Sequence, residues 1–326
     1  MLGFLTKRLG YYIVLLLVAI GLSYALAASA LNPRTSFEGR NPKPPAAVVE
    51  AQLTELGIND KTPLTDRFGS WAANAVQGDF GRTIEGTSVN EEFGNRIGVS
   101  LRLLLAGTIL GTVIGILAGA WAAMRQYRFS DRAMTIFAFL IMSTPTLVLA
   151  LFVKNAMVSI NESTGSDVQF TGETTPGLEG GFLTHLLDRL GHLMLPTLVI
   201  AAIAIASYSR YQRNTMLDVL GSDYLRTARA KGLRRNKAIL KHGLRTALIP
   251  MSTFFAYGFL GLLTGATFTE KIFGWHGMGE WLVDSISRND VNAVVAYSLF
   301  AAVMVLLAGF VADVLHAALD PRVRSA

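Results

Sequence analysis

The side chains able to do covalent or metal chemistry are few in this sequence and lie far apart. Its five histidines, His185, His192, His242, His276 and His316, form no His-Glu-x-x-His or other close pair. None therefore has the spacing that builds a metal site on one helix face. Cysteine is absent, which removes thiolate ligands and disulfides. No Gly-x-x-x-x-Gly-Lys-[Ser/Thr] occurs, so the chain lacks the loop whose amides cradle nucleotide phosphates. No acid stands in the middle of an apolar run, where proton coupling would place one, and no Ser/His/acid set is recognisable.

What remains is a concentration of cations. Residues 210–245 hold ten Lys/Arg against Asp218 and Asp223. The centre reads Ser222-Asp223-Tyr224-Leu225-Arg226-Thr227-Ala228-Arg229-Ala230-Lys231-Gly232-Leu233. Ser222 or Asp223 can cap a helix and Gly232 can stop it. Leu225, Ala228 and Gly232 fall near one face, while Arg226, Arg229 and Lys231 point mostly elsewhere. The pattern predicts a short basic helix with small residues on one side, then a second helix over 237–246. Such an element suits docking into a groove on a partner, with Ala228 against that partner. A basic loop by itself is also what membrane topology requires. Two short helices around a glycine hinge exceed that need, because orientation does not require ordered structure.

The elements that carry this segment are apolar. Hydrophobic residues make up 51% of the 326 and charged residues 16%, against about 25% charged in ordinary soluble domains. That excludes disorder and low-complexity scaffolds. Uncharged runs of 17 to 24 residues occupy 10–31, 103–124, 133–153, 193–209, 246–269 and 291–312. Each is long enough for a helix to cross a bilayer, which takes roughly 20 residues. The prediction is an all-α integral membrane protein with six transmembrane helices. A cleavable signal peptide is the other reading of the first run, but its apolar core exceeds the usual h-region of about 7–15 residues.

The net charge of +6 divides unevenly. With both termini cytoplasmic, the inner segments carry 17 Lys/Arg and four acids, or +13, the outer ones ten bases and eighteen acids, or −8, and Arg102, Lys154 and Asp313 at run ends the remaining +1. Positive loops mark the cytoplasmic side. The charge is thus a membrane-topology signal and not a nucleic-acid footprint. Arg102 and Lys154 lie at run ends, where long stems reach water.

The loops and helices have their own marks. Residues 32–98 form a long external segment with a helix predicted over 48–56, stopped by Gly57. Residues 160–192, rich in Gly, Ser, Thr and acids, read as a mobile surface loop. Gly107, Gly111, Gly115 and Gly119 draw a smooth stripe for close helix packing. Pro145 and Pro196 sit inside runs three and four and should kink or interrupt them. Between runs five and six, Glu270, Phe273, Trp275, Gly277, Met278 and Gly279 read either as a partly re-entrant external gate or as a plain surface hairpin.

The sequence resembles the integral-membrane permease subunits of ATP-binding-cassette importers, in particular the oligopeptide and dipeptide branch. Tyr224 to Leu233 reproduces the branch's Tyr-x-Arg-Thr-Ala-Arg-Ala-Lys-Gly-Leu, and Gly232, His242-Gly243-Leu244 and Pro250 match the family's loop in order and spacing. Gly78-Asp79-Phe80-Gly81-Arg82, the 59–64 stretch, the 270–279 loop, and Ala312-Asp313-Val314 with 319–324 are similar to further branch motifs. The general family's Glu-Ala-Ala is Arg226-Thr227-Ala228 here, and the usual Gly-Asp-Pro after the first run is replaced by Asn32-Pro33-Arg34.

The resemblance implies a type I importer permease fold in the bacterial cytoplasmic membrane. It implies a second homologous permease, two cytoplasmic ATPase subunits or one fused ATPase, an external solute-binding protein and a peptide substrate. ATP and Mg would be held by the ATPases, with no cofactor in this chain, which is not itself an enzyme. Tyr224, Arg226, Thr227, Ala228, Arg229, Ala230, Lys231, Gly232, Leu233, His242, Leu244 and Pro250 would couple to the ATPases. The expected divisions are 1–31 (N-terminus and first helix), 32–98 (external subdomain) and 99–326 (permease core, with coupling loop 210–246). Nickel chelates, glutathione or haem are alternative cargoes within the branch. An ion-coupled secondary transporter is the alternative from another class, though neither an ion site nor an internal repeat is visible.

Overall fold

The computed structural model describes residues 2–39 and 41–319. Among them the ordered elements are helical, apart from one isolated bridge between Arg82 and Ser88. In chain order they are α1 (Leu2–Ala30), α2 (Thr35–Glu38), α3 (Ala46–Glu55), α4 (Leu64–Val76), α5 (Val89–Met124), α6 (Phe129–Ser143) and α7 (Thr146–Thr164). Then come α8 (Phe182–Leu220), α9 (Asp223–Ala230), α10 (Arg235–Ala238), a π-helical turn (Ile239–Gly243), α11 (Leu244–Phe273), α12 (Met278–Ser287) and α13 (Val291–Leu319).

Helices α1, α5, α8 and α13 are each long and apolar enough to cross a membrane. Two bent pairs bring the number to six: α6 with α7, at 108°, and the α10–α11 stretch, bent by 50° between Ala256 and Gly258. The α6–α7 break has a local cause. Thr144 is extended (φ −94°, ψ 123°) ahead of Pro145, since the residue before proline is barred from the helical region by the pyrrolidine ring. Pro196 does not interrupt its helix: α8 runs from Phe182 to Leu220 with Pro196 inside it. Its flanks Leu195 and Thr197 are both 6% exposed, so packing on either side holds the helix through the missing hydrogen bond.

Contacts divide the chain into two compact units. One comprises Leu2–Leu101 and His276–Leu306. Its core gathers Tyr24 of α1, Leu53 of α3, Trp71 of α4, Ile84 and Val295. Tyr24 packs its ring 5.3 Å from Phe68 and 5.5 Å from Trp71. Helix α3 begins two residues before the expected start and ends at Glu55, one residue short of the expected end, with Gly57 in the left-handed region (φ +72°) as its expected stop. There Ile58 N–H bonds Leu53 O and Gly57 N–H bonds Thr54 O, the paired closure that leaves few carbonyls orphaned.

The other unit comprises Arg102–Trp275 and the chain from Leu307. The glycine stripe packs on α8 as expected. A Cβ on Gly107 would fall 2.5 Å from Ile200 Cγ2, and one on Gly115 2.9 Å from Tyr208 Cβ. At Gly111 and Gly119 it would collide with Ala204 and with the Ser209 carbonyl. Tyr211 stacks on Phe254 of α11, 4.2 Å between centroids.

The 160–192 stretch departs from the mobile loop expected of it. Helix α7 continues to Thr164 and α8 begins at Phe182. Between them Phe170 is buried against Phe273, edge to face. Gly172 N–H bonds Phe273 O at 2.8 Å, and Thr175 donates from N–H and hydroxyl to Asp188 at 2.9 and 2.6 Å. His192, 2% exposed, sits within hydrogen-bond reach of Gly172 O and Thr175 Oγ1. Polar composition suggested solvent, but these side chains satisfy one another. Of the C-terminal motif, residues 320–324 lie outside the described residues.

Candidate functional site

The basic segment leaves α8 at Gly221 and turns at Ser222, which is extended (φ −76°, ψ 147°). Ser222 occupies the N-cap position, yet its hydroxyl donates back to Val219 O at 2.6 Å and does not cap α9. Asp223 stands in the first turn, where the helix dipole favours an anion. The helix closes with a Schellman motif: Leu233 N–H to Ala228 O at 3.3 Å and Gly232 N–H to Arg229 O at 2.9 Å. Gly232 has φ +88°, with open space where a Cβ would stand. Glycine is required there by backbone conformation, not by crowding.

The two faces of α9 differ sharply. Leu225, 4% exposed, packs with Ala228 and Leu233 onto Met216, Val219, Ala238, Ile239 and Ala247. Tyr224, 43% exposed, stands on the open side with Arg226, Thr227, Arg229, Ala230, Lys231 and Gly232. This corrects the expectation for Ala228. It faces the chain's own apolar cluster, because residues 225 and 228 share the face that closes against α8 and the π turn. The outward surface is a tyrosine, a threonine, an alanine and a fan of cations. The Arg226–Asp223 pair on it, 3.2 Å apart, is almost wholly solvated and contributes little.

The return limb positions α9 more than it extends its surface. Helix α10 starts at Arg235, two residues ahead of the expected second helix, and continues through the π turn into α11. His242 is half-buried in that turn, and its carbonyl accepts the Thr246 hydroxyl at 3.0 Å. Leu244 and Pro250 are half-buried along α11. Gly243 is buried, and a Cβ there would press on Val219 Cγ1 at 3.3 Å.

One feature of this region escapes sequence reasoning. Asp131, 2% exposed, accepts two hydrogen bonds from Arg213 (Nε at 2.6 Å, Nη2 at 2.9 Å) and one from Tyr127 N–H at 2.9 Å. The Arg213 guanidinium, aided by the Tyr127 amide, holds the Asp131 carboxyl below the usual carboxylate range. The pair fastens the start of α6 to the end of α8 that carries α9. Its partners are 82 residues apart, so no spacing rule could join them. Among the described residues no cluster of three or more His, Asp or Glu is placed to hold a metal ion.

The 270–279 candidates are buried. Glu270, Phe273 and Trp275 are 1%, 0% and 2% exposed. In their unit, Gly274 ends α11 with φ +66°, Trp275 N–H bonds Glu270 O, and Lys154 Nζ donates to Ile272 O at 2.8 Å. In the other unit, Gly277 precedes α12, Met278 is 0% exposed and Gly279 is buried. Met278 N–H donates to Ser100 Oγ at 2.7 Å, and His276 pairs with Glu280 at 2.7 Å. Within the stretch Lys271 and His276 remain exposed.

Comparison with known proteins agrees with this architecture. The family model described as "Binding-protein-dependent transport system inner membrane component" matches residues 111–325. The chain is similar to the oligopeptide transport system permease protein OppB of Mycobacterium tuberculosis, 55% identical over 322 residues, 98% of each chain. It is similar to the oligopeptide transport system permease protein AppB of Bacillus subtilis, 35% identical over 326 residues, 99% of each. The glutathione transport system permease protein GsiC of Shigella flexneri is 32% identical over 327 residues, 99% of each. A multi-pass helical membrane protein with a family match over 111–325 and full-length permease relatives, the chain belongs to the binding-protein-dependent transport system inner membrane components.

Proposed function

We propose that the chain is one permease subunit of an ATP-driven oligopeptide importer in the bacterial cytoplasmic membrane. The observation that carries this reading is the 55% identity, over 98% of both chains, with a protein named an oligopeptide transport permease. A second, homologous permease completes the translocation path, and an external solute-binding protein delivers the peptide. ATP and Mg bind to cytoplasmic ATPase subunits, either two chains or one fused chain. Both termini are cytoplasmic, residues 32–98 lie outside, and residues 99–326 form the permease core with its coupling loop at 210–246.

In this reading α9 is the lever. Closure of the ATPases pushes its outward face (Tyr224, Arg226, Thr227, Arg229, Ala230, Lys231), and Leu225, Ala228 and Leu233 pass the motion to α8 and α11. Gly232 fixes the angle of the turn, while His242, Leu244 and Pro250 hold the return limb. Rigid-body rocking then alternates access to the path. The buried 270–279 stretch acts as the external gate. Variable peptide side chains suit a permissive path, so selection rests with the binding protein.

A glutathione cargo is the second reading, favoured by the 32% identical glutathione permease. The test is uptake by the complex, reconstituted in proteoliposomes, of labelled oligopeptides, dipeptides, glutathione, nickel chelates and haem. ATP-dependent uptake of oligopeptides is expected. Uptake driven by an ion gradient without ATP would overturn the reading. Orientation is tested by single cysteines in this cysteine-free chain: Ser88→Cys and Ser163→Cys should react with an impermeant reagent outside cells, and Ser222→Cys should not.

A further inference from the structure

We propose that the unit of Leu2–Leu101 and His276–Leu306 carries a binding pocket for a zwitterion, and that its occupant is a short peptide with free termini. The peptide identity rests on the function proposed above, whereas the zwitterion rests on the pocket alone.

The cavity is about 480 Å³ and lies between the end of α3, the flank of α4 and the 79–82 loop. Sites for small ligands fall in the range of roughly 300–1,000 Å³. Four charged side chains line it: Arg67 and Arg82, Glu55 and Asp79. Among the described residues none of the four is in an ion pair. Asp79 Oδ1 accepts Gly81 N–H at 2.9 Å and has no cation partner. Arg67 Nε and the indole N–H of Trp71, which is 9% exposed, are buried without an acceptor. Buried donors left unmatched are costly and uncommon.

The walls are preformed. Asn292 Nδ2 donates to Leu56 O at 3.1 Å and to Arg82 O at 2.9 Å, clamping the α3 end to the 79–82 loop. Gly81 (φ +89°) lets the loop pass Asn292, whose Nδ2 would stand 3.2 Å from an added Cβ. The Tyr24, Phe68 and Trp71 rings fix α4 from behind. Opposite charges free to move would collapse onto one another. Here the backbone segments that carry them are held by the Asn292 bonds and the ring contacts, and the cavity presents both signs at once. A simple anion would be opposed by Glu55 and Asp79, and a simple cation by Arg67 and Arg82. A ligand with one carboxylate and one ammonium satisfies all four, with its carboxylate on the arginines and its ammonium on the acids.

The test uses the full-length chain in lipid nanodiscs, without its partners, and isothermal titration with tri-alanine. Saturable binding is expected. Acetylating the amine or amidating the carboxyl should each weaken it at least about tenfold, the scale of a lost charge-assisted hydrogen bond. Arg67→Gln and the exposed Arg82→Gln should weaken free tri-alanine while leaving the amidated peptide unchanged, and Glu55→Gln should do the same for the acetylated one. Unaltered melting temperatures in these variants separate lost binding from misfolding. Absence of saturable binding, or equal affinity for free and blocked peptides, would overturn the pocket even if the complex imports peptides. Binding of tri-alanine by a chain whose complex imports none would instead leave the pocket standing and defeat the proposed function.

Discussion

The segments 222–233 and 270–279 are assembled from the same parts: a helix end, a left-handed glycine (Gly232, φ +88°; Gly274, φ +66°) and a following turn. Their surroundings are opposite. In the first, only one face, centred on Leu225, meets the protein, and the cations stand in solvent. In the second, Phe273, Trp275 and Met278 are almost completely enclosed. The difference follows from what separates the glycines. Arg226, Arg229 and Lys231 must stay hydrated, whereas aromatic and thioether side chains gain by leaving water. A surface of the first kind can be altered without unfolding its carrier. Truncating a side chain of the second kind costs stability, since it removes packing contacts.

The largest effect should come from the enclosed segment. Phe273→Ala removes a fully buried ring and should cost about 3–5 kcal/mol, seen as a large drop in the melting temperature of the detergent-solubilised complex. An unchanged melting curve would end the contrast between the two segments.

Next is the brace beneath the exposed segment. Asp131→Asn leaves Arg213 without its carboxylate and should cost on the order of 2 kcal/mol, because the pair is only partly enclosed. Since Arg213 lowers the folded pKa of Asp131, its stabilisation is present above the unfolded value of about 3.9 and is lost as pH falls through the lower, folded one. Denaturant titrations should therefore show a constant gap between wild type and variant from neutral pH down to about pH 5, closing only in acid. A gap that closes near neutrality would show that the pair is not what braces α8.

Gly232→Val comes third. Placing a β-branched residue at φ +88° should cost about 1–2 kcal/mol locally and displace the α9 turn. ATPase subunits should dissociate, or peptide-stimulated ATP hydrolysis should fail, while the membrane helices stay folded by circular dichroism. A full subunit complement with wild-type coupling would show that the segment is only a topology signal. The smallest effect on stability is expected for Arg226→Ala, within about 0.5 kcal/mol, yet ATP hydrolysis by the complex should lose its response to peptide. If stability and coupling move together there, the two segments are not different in kind.

Much of this contrast was legible in advance on one side only. The left-handed stop and the cationic face of α9 follow from the order of residues 222–233, because they depend on neighbours within one turn, whereas the Ser222 hydroxyl turns back to Val219 O and caps nothing. Ala228 packs on the chain's own apolar cluster, which helical spacing does not reveal, since it groups residues on a face without saying what that face meets. For 270–279 the glycines suggested a special loop, but its enclosure depends on partners such as Phe170 and Ser100.

By itself the sequence determined the apolar helices, the glycine stripe on α5, the break before Pro145 and the stops at Gly57 and Gly232. Each of these is set by composition or by steric limits on one or two residues. Tertiary structure decided that Pro196 would be carried inside an unbroken α8, that the 165–181 stretch would be pinned by Phe170, Thr175 and His192, and that Asp131 would meet Arg213. It also left Arg67, Arg82, Glu55 and Asp79 without an ion pair among the described residues, around one cavity. These outcomes depend on which distant groups are brought within about 3 Å of each other, the range over which hydrogen bonds act, and a one-dimensional pattern does not encode that distance.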